Sequence, residues 1–340
     1  MAYRHPLAWG FALLGAVALA AEPAAAQAQA GAADGWTVPR TAAGHPDLQG
    51  IWANDSATPL ERPEGFENRP VLTEEEFAEF QERAEELTSE SADAGFLDEV
   101  FLAAAGGAEA FETFCTGTGN YNNFWLTERH FENRTSLVTD PPTGRIPYRP
   151  ETQQLLAAQL ESFAGGEPAA SWEELGVLTR CITNGVPNLL PGYNTNYQIV
   201  QTADHVLILQ ELMHEARVIP LDGRPHIPSD IRQVLGDSRG HWDGDALVVT
   251  TANFTDKTSI QGSSENARLI ERFTRVGPDT LHYEFTVEDD TRFTSSWTAL
   301  IPMQKIAGPI FEYACHEGNY GLIGILAGAR ADEAAAAAAR

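Results

Sequence analysis

Histidine, glutamate and arginine occur close together at two places in the second half of the sequence. Glu211, His214 and Arg217 lie within seven residues of one another, and His316 is followed directly by Glu317. A neighbouring carboxylate can make an imidazole basic enough for general acid–base catalysis near neutral pH, and an arginine can stabilise developing negative charge. We therefore predict a proton-transfer site in which His214 or His316 moves the proton. Glu211 or Glu317 would orient that histidine, with Arg217 as the charge stabiliser.

Both patches also have a structural explanation. Glu211 and Arg217 could equally well belong to a row of surface ion pairs along one side of a strand. A bulge near Met213 would be needed to bring His214 and Arg217 together. The polar groups around His316 would also suit a loop that satisfies its own backbone amides. The sequence leaves these alternatives open.

Ligand-binding groups are predicted from three other regions. A loop rich in amides and phenols precedes residue 197, and such groups can orient a ligand at the mouth of a barrel. His282 and Glu284 share one face of an amphipathic strand, which faces either the lumen or solvent. The predicted substrate-binding residues are Tyr193, Asn194, Asn196, His282, Glu284, Trp297 and Asn319.

Several specific chemistries lack their sequence motifs. The chain contains no H-E-x-x-H, no C-x-x-C and no close pair of histidines, so we predict no metal site. It also has no G-x-S-x-G nucleophile turn and no glycine-rich phosphate loop. We therefore predict no cofactor. Asp243 and Gly244 are better explained as a hairpin turn than as part of a calcium loop.

Short apolar runs separated by turn residues begin at residue 197 and predict antiparallel strands. Residues 202–204, 243–244 and 277–279 are typical of hairpin connections, and the last strand is predicted at 310–315. Eight strands fit between residues 197 and 316, enough for a small antiparallel barrel of the calycin or lipocalin kind that holds one small ligand. A β-sandwich is the alternative. The fold class is therefore mainly β, with an irregular and helical N-terminal part.

The chain divides into five predicted segments. Residues 1–30 have the basic start, apolar centre and small-residue end of a secretory signal peptide. Residues 31–70 are an extended arm, 71–180 a helical or irregular segment, 181–330 the barrel and 331–340 an alanine-rich tail. A capping-box pattern at Thr73 predicts a helix start, and a second helix is predicted at 151–163.

Composition limits the partners of the chain. It has 48 acidic and 22 basic residues, for a formal net charge of −26. Such a surface repels nucleic acids and anionic membranes, and no stable membrane insertion is expected after signal cleavage. Three cysteines, at 115, 181 and 315, predict one disulfide and one free thiol outside the cytoplasm, with the pairing left open. The oligomeric state is not indicated.

Six motifs give the chain a family resemblance. They are GHPDLQGIW at 44–52, DPPTGRIP at 140–147, YQIVQ at 197–201, RVIPLDGRPH at 217–226, GDSRGHWDGD at 236–245 and YACHEGNY at 313–320. With them the chain resembles an uncharacterised family of predicted exported bacterial proteins, over nearly all of the sequence after the signal. The resemblance implies export and assigns neither a reaction nor a catalytic residue.

The sequence as a whole predicts a periplasmic or secreted enzyme acting on a small, partly apolar molecule without a cofactor. Lyase, hydratase or isomerase chemistry fits the histidine, glutamate and arginine set because none of these needs a covalent nucleophile. A non-catalytic ligand-binding barrel is the first alternative, and a structural protein of the cell envelope is the second.

Overall fold

The computed structural model describes residues 36–88, 99–106, 128–165, 168–189, 192–257 and 260–339. The predicted signal peptide and Cys115 lie outside these residues. The described helices are α1 (Glu74–Leu87), α2 (Glu99–Gly106), α3 (Pro150–Gly165), α4 (Cys315–Gly318) and α5 (Tyr320–Ala338), with short 3-10 turns at Trp172–Glu174 and Leu212–His214. The capping box at Thr73 and the helix predicted at 151–163 are confirmed.

Ten described strands form one antiparallel sheet. They are β1 (Gly50–Ala53), β2 (Val138–Asp140), β3 (Tyr197–Gln201), β4 (His205–Gln210), β5 (Glu215–Pro220), β6 (Asp237–Asp243), β7 (Ala246–Ala252), β8 (Arg268–Arg275), β9 (Thr280–Glu288) and β10 (Trp297–Ile306). Their order across the sheet is β5-β4-β3-β1-β10-β9-β8-β7-β6, and β2 pairs with β10. The hairpin connections predicted between β3 and β4, β6 and β7, and β8 and β9 are confirmed.

The sheet curls until its two edge strands, β5 and β6, lie side by side. Gly240 in β6 sits so close to β5 that an added Cβ would come within 2.8 Å of both Ile219 and Leu221. An added side chain at this position would therefore clash with the side chains of these two residues. The sheet is therefore a nearly closed antiparallel barrel, as predicted, and not a sandwich.

Strict alternation along the strands fills the barrel. In β9 every second residue from Leu281 to Val287 is wholly buried, and the residues between them are partly exposed. Aromatic rings from neighbouring strands pack inside, including Phe273 against Tyr283 with centroids 4.7 Å apart and Phe285 against Trp297 at 5.6 Å. Side chains, and not an aqueous channel, make up most of the interior.

The N-terminal arm contributes a strand to the sheet. β1 lies between β3 and β10, where Trp52 is opposite both Tyr197 and Lys305. Trp52 is fully buried, and its indole N–H donates to the carbonyl of Leu48 at 2.8 Å. Because β1 joins the two halves of the sheet, the arm is structurally part of the barrel.

The prediction of a strand at 310–315 is wrong. Residues 307–314 form neither strand nor helix, and α4 begins at Cys315. The backbone N–H of Phe311 donates to the carboxylate of Glu211 and not to a neighbouring strand. Pro309 lies three residues after the end of β10, and because it has no backbone N–H it cannot donate to a continued ladder.

Candidate functional site

A charged pair lies inside the barrel, on strands that are not neighbours in the sheet. Arg217 in β5 donates to both carboxylate oxygens of Glu271 in β8, from Nη1 at 2.7 Å and from Nη2 at 2.8 Å. The two side chains are only 4% and 0% exposed. The hydroxyl of Tyr283 donates to the same carboxylate at 2.8 Å. Removing two ions from water is costly, and this dense set of hydrogen bonds is needed to offset the cost.

The alternation of β5 directs Arg217 inward. Arg217 and Ile219 are buried, whereas Ala216 and Val218 between them are exposed. Glu215, two residues before Arg217, points in the same direction and is partly buried. The strand therefore places a carboxylate and a guanidinium next to each other on the interior face.

Two buried phenols lie beside the ion pair. Burial raises the pKa of Tyr283, and the nearby carboxylate of Glu271 raises it further, so the phenol stays protonated and donates. Burial also raises the pKa of Tyr197, whose hydroxyl accepts from the backbone N–H of Asn188 at 3.0 Å. The two rings lie 6.1 Å apart between centroids.

A row of polar side chains faces the interior beside the connection between β4 and β5. Gln210 is opposite Tyr197 on one side and Glu215 on the other, and Arg217 is the next inward residue of β5. Four buried atoms of this row have no hydrogen-bond partner within the described residues. They are Nε2 and Oε1 of Gln210, Oε2 of Glu215 and Nε of Arg217. We call Gln210, Glu215 and Arg217 the open polar row.

The loop before β3 covers this end of the barrel. The hydroxyl of Thr183 and the backbone N–H of Asn184 donate to the carboxylate of Glu215. Burial raises the pKa of Glu215, and these hydrogen bonds and the charge of Arg217 offset only part of that rise. The polar loop predicted to lie at the mouth of the barrel is thus connected to the open polar row.

Glu211, predicted as an orienting carboxylate, lies outside the open polar row and links two other segments of the chain by hydrogen bonds. Its Oε2 accepts from the amide of Asn196 at 2.6 Å, and its Oε1 accepts from the backbone N–H of Phe311 at 2.7 Å. His214 ends a tight turn in which Met213 has a φ of 62°, and its side chain is exposed. Arg217 is buried on the inward face of β5, so the two groups are not brought together.

The second histidine patch lies on the surface. His316 and Glu317 are both exposed, in the short helix α4. Cys315 at the start of this helix forms a disulfide with Cys181, and Asn319 at its end donates to the carbonyl of Thr179 at 2.9 Å. The catalytic roles assigned to the two histidines remain predictions, and the structure places both outside the barrel.

The predicted loop and the predicted C-terminal patch nevertheless meet. Tyr193 stacks on Tyr313 with ring centroids 6.3 Å apart, in a small apolar cluster with Met213 and the disulfide. Asn194, in the same loop, is half-buried and has a φ of 50°. Groups from three separate parts of the sequence therefore pack into one cluster.

The remaining predicted residues lie on opposite sides of the barrel wall. His282 and Glu284 are partly buried on its outer face. Burial lowers the pKa of His282, with Arg134 adding to the effect, and burial raises the pKa of Glu284. Trp297 faces inward and is fully buried, and its indole N–H has no partner among the described residues. Of the predicted substrate-binding residues, Trp297 is the one placed in the barrel interior.

Sequence reasoning missed Glu271 and Tyr283, which form the hydrogen-bonded group with Arg217, and Gln210 of the open polar row. A signal was present, because Glu271 lies between the apolar residues Leu269 and Phe273 on one face of β8. A charged residue on such a face requires a buried partner.

Asp55 was also missed. Burial raises its pKa to about 7, with the charge of Glu128 adding to the rise, and its Oδ1 has no partner within the described residues. This carboxyl group lies just after β1. A perturbed carboxyl group of this kind is a feature of functional sites, but structural networks produce it as well.

A separate cavity of about 210 Å³ lies between α1 and α2. Its charged groups are paired with each other, Arg69 with Glu76 at 2.5 Å and Arg83 with Glu79 at 3.6 Å.

No protein-family model matches the chain, and no curated protein does. Among solved structures it is similar to a secretary abundant heat soluble (SAHS) protein from Ramazzottius varieornatus, at 13% sequence identity and a TM-score of 0.22. The match covers 33% of this chain and 70% of that chain. A likeness this low says nothing about the function of this chain.

Two further properties are clear for the described part of the chain. None of its helices is long and apolar enough to cross a membrane. It also contains no group of three or more histidine, cysteine, aspartate or glutamate side chains arranged to hold a metal ion.

Proposed function

We propose that this protein is a binding barrel for a small molecule, whose polar part enters the interior beside Gln210, Glu215 and Arg217. The observation that carries the proposal is the set of unpartnered, buried hydrogen-bonding atoms in the open polar row. Each buried polar group without a partner costs about 1–3 kcal/mol. Four such atoms in adjacent positions destabilise the fold considerably. Hydrogen bonds to a bound molecule would remove this destabilisation.

The positions of the histidines favour binding over catalysis. An acid–base residue must reach the reacting group, yet the side chains of His214 and His316 are exposed, whereas the polar groups of the open polar row face the interior. The aromatic rings of Tyr197 and Tyr283 beside the row would supply the apolar contacts that small-molecule sites use. We also propose that binding takes place outside the cytoplasm, which the disulfide between Cys181 and Cys315 supports.

The test compares Gln210→Met with a matched control, Gln198→Met. Both changes replace the same amide by an apolar side chain of similar size, but Gln198 lies on the outward, partly exposed face of β3. Each protein is purified from its native host, unfolded, and its small-molecule extract analysed by mass spectrometry. We expect a compound that accompanies the unmodified protein and Gln198→Met in equal amounts and is depleted from Gln210→Met.

Ligand-free protein provides a second measurement. Without a ligand, Gln210→Met removes two unsatisfied buried groups and should stabilise the fold by about 1–2 kcal/mol in urea unfolding. A loss of stability of similar size would mean that the amide is satisfied within the fold. Together with an empty extract, that result would reject the binding site.

A further inference from the structure

The unpartnered atoms of Gln210 define a particular hydrogen-bonding edge. A carboxamide carries a donor and an acceptor side by side, and both are unused here within the described residues. It pairs best with a group that presents an acceptor opposite its donor and a donor opposite its acceptor. Carboxamides, lactams and ureas have such an edge, and two hydrogen bonds then form at once.

The charges around this edge are already balanced. The guanidinium of Arg217 is paired with both oxygens of Glu271, and its Nε has no hydrogen-bond partner within the described residues. A carboxylate or phosphate entering the barrel would lose its water without gaining an unpaired positive charge, which is strongly unfavourable.

Within the open polar row, Glu215 is the group that could attract a cation. Its carboxyl group already accepts from Thr183 and from the backbone of Asn184, and burial raises its pKa. A carboxyl group with these partners and a raised pKa attracts a cation less strongly than an exposed glutamate does.

From this balance of charge and this hydrogen-bonding edge we infer that the bound molecule is uncharged and presents an amide-type edge to Gln210. The inference rests on the proposed binding function and specifies its ligand class. The aromatic rings of Tyr197 and Tyr283 would pack against the apolar remainder of the molecule.

Three probes of nearly equal size test the inference, namely benzamide, benzoate and benzylamine. They share one ring and differ in carrying a neutral amide, an anion or a cation. Binding to the full-length mature protein is measured by isothermal titration calorimetry at pH 7, with Gln210→Met and the control Gln198→Met measured alongside. We expect benzamide to bind at least about tenfold more tightly than either charged probe. We also expect Gln210→Met to weaken benzamide at least about tenfold, and Gln198→Met to leave it unchanged.

Three outcomes would overturn the inference. They are equal or tighter binding of benzoate or benzylamine, benzamide binding that does not depend on Gln210, and no binding of any probe. The extraction experiment separates this failure from failure of the proposed function. A charged compound depleted from Gln210→Met would leave the binding barrel standing and reject only the neutral ligand class. An extract with no such compound, together with a loss of stability in ligand-free Gln210→Met, would reject both.

Discussion

At the scale of single residues, the pairing of Arg217 with Glu271 dominates the barrel interior. We expect Arg217→Met to destabilise the protein by about 3–5 kcal/mol, because it leaves the carboxylate of Glu271 buried without its counter-charge. The double variant Arg217→Met with Glu271→Gln should recover most of this loss, since no charge remains and the glutamine still accepts from Tyr283. Urea unfolding of the single and double variants measures both effects.

The exposed pair of Arg268 and Glu288 on β8 and β9 is the matched control. Its ions lie 3.0 Å apart and are 50% and 43% exposed. Water screens such a pair, so Arg268→Met should cost less than about 1 kcal/mol. If Arg217→Met caused an equally small loss of stability, water would have to screen the Arg217–Glu271 pair, which would contradict its burial.

At the scale of elements, the short strand β1 is the feature on which closure of the sheet depends. Trp52 is fully buried at its centre, opposite both β3 and β10. We expect Trp52→Ala to cost about 3–5 kcal/mol in urea unfolding, since it leaves a large cavity between the two halves of the sheet. Trp172→Ala removes the same side chain from a position that is 50% exposed, and should cost less than about 1 kcal/mol. Equal losses for the two variants would contradict the central position of β1.

Elements specified by neighbouring residues could be predicted from the sequence. The hairpins at 202–204 and 243–244 were found because turn residues and flanking alternation are local signals. The strand status of 50–53 was missed because it depends on pairing with residues about 150 and 250 positions away, which no local pattern encodes. The segment 310–315 has an apolar pattern, yet a disulfide and a side-chain acceptor take the place of a strand partner.

The distinction between local signals and contacts of distant residues also applies to the candidate site. Arg217 was identified by its chemistry, but its partner Glu271 lies 54 residues later and could be found only by asking which charged residues interrupt apolar strand faces. His214 and His316 were identified by their neighbours in sequence. Both proved to lie on a turn or a surface helix, where adjacency along the chain does not create a shared cavity.

At the scale of the whole molecule, acidic residues exceed basic ones by 26, as 48 against 22. Mutual repulsion of this excess opposes compaction, and salt screens it. Exposed ion pairs such as Arg40 with Asp245 weaken in salt, but each contributes less than about 1 kcal/mol. Repulsion among the excess acidic residues should therefore determine whether added salt stabilises or destabilises the fold.

We accordingly expect the unfolding temperature to rise as sodium chloride is increased from low to moderate concentration. A gain of about 1–2 kcal/mol corresponds to a rise of roughly 2–6 °C for a domain of this size, measurable by differential scanning calorimetry. Sodium chloride is preferred to sulfate, which stabilises most proteins by exclusion from their surface. Potassium chloride should give the same rise, because screening depends on ionic strength and not on the cation. An unfolding temperature that stays constant or falls would mean that favourable ion pairs outweigh the acidic excess, despite the small contribution expected from each.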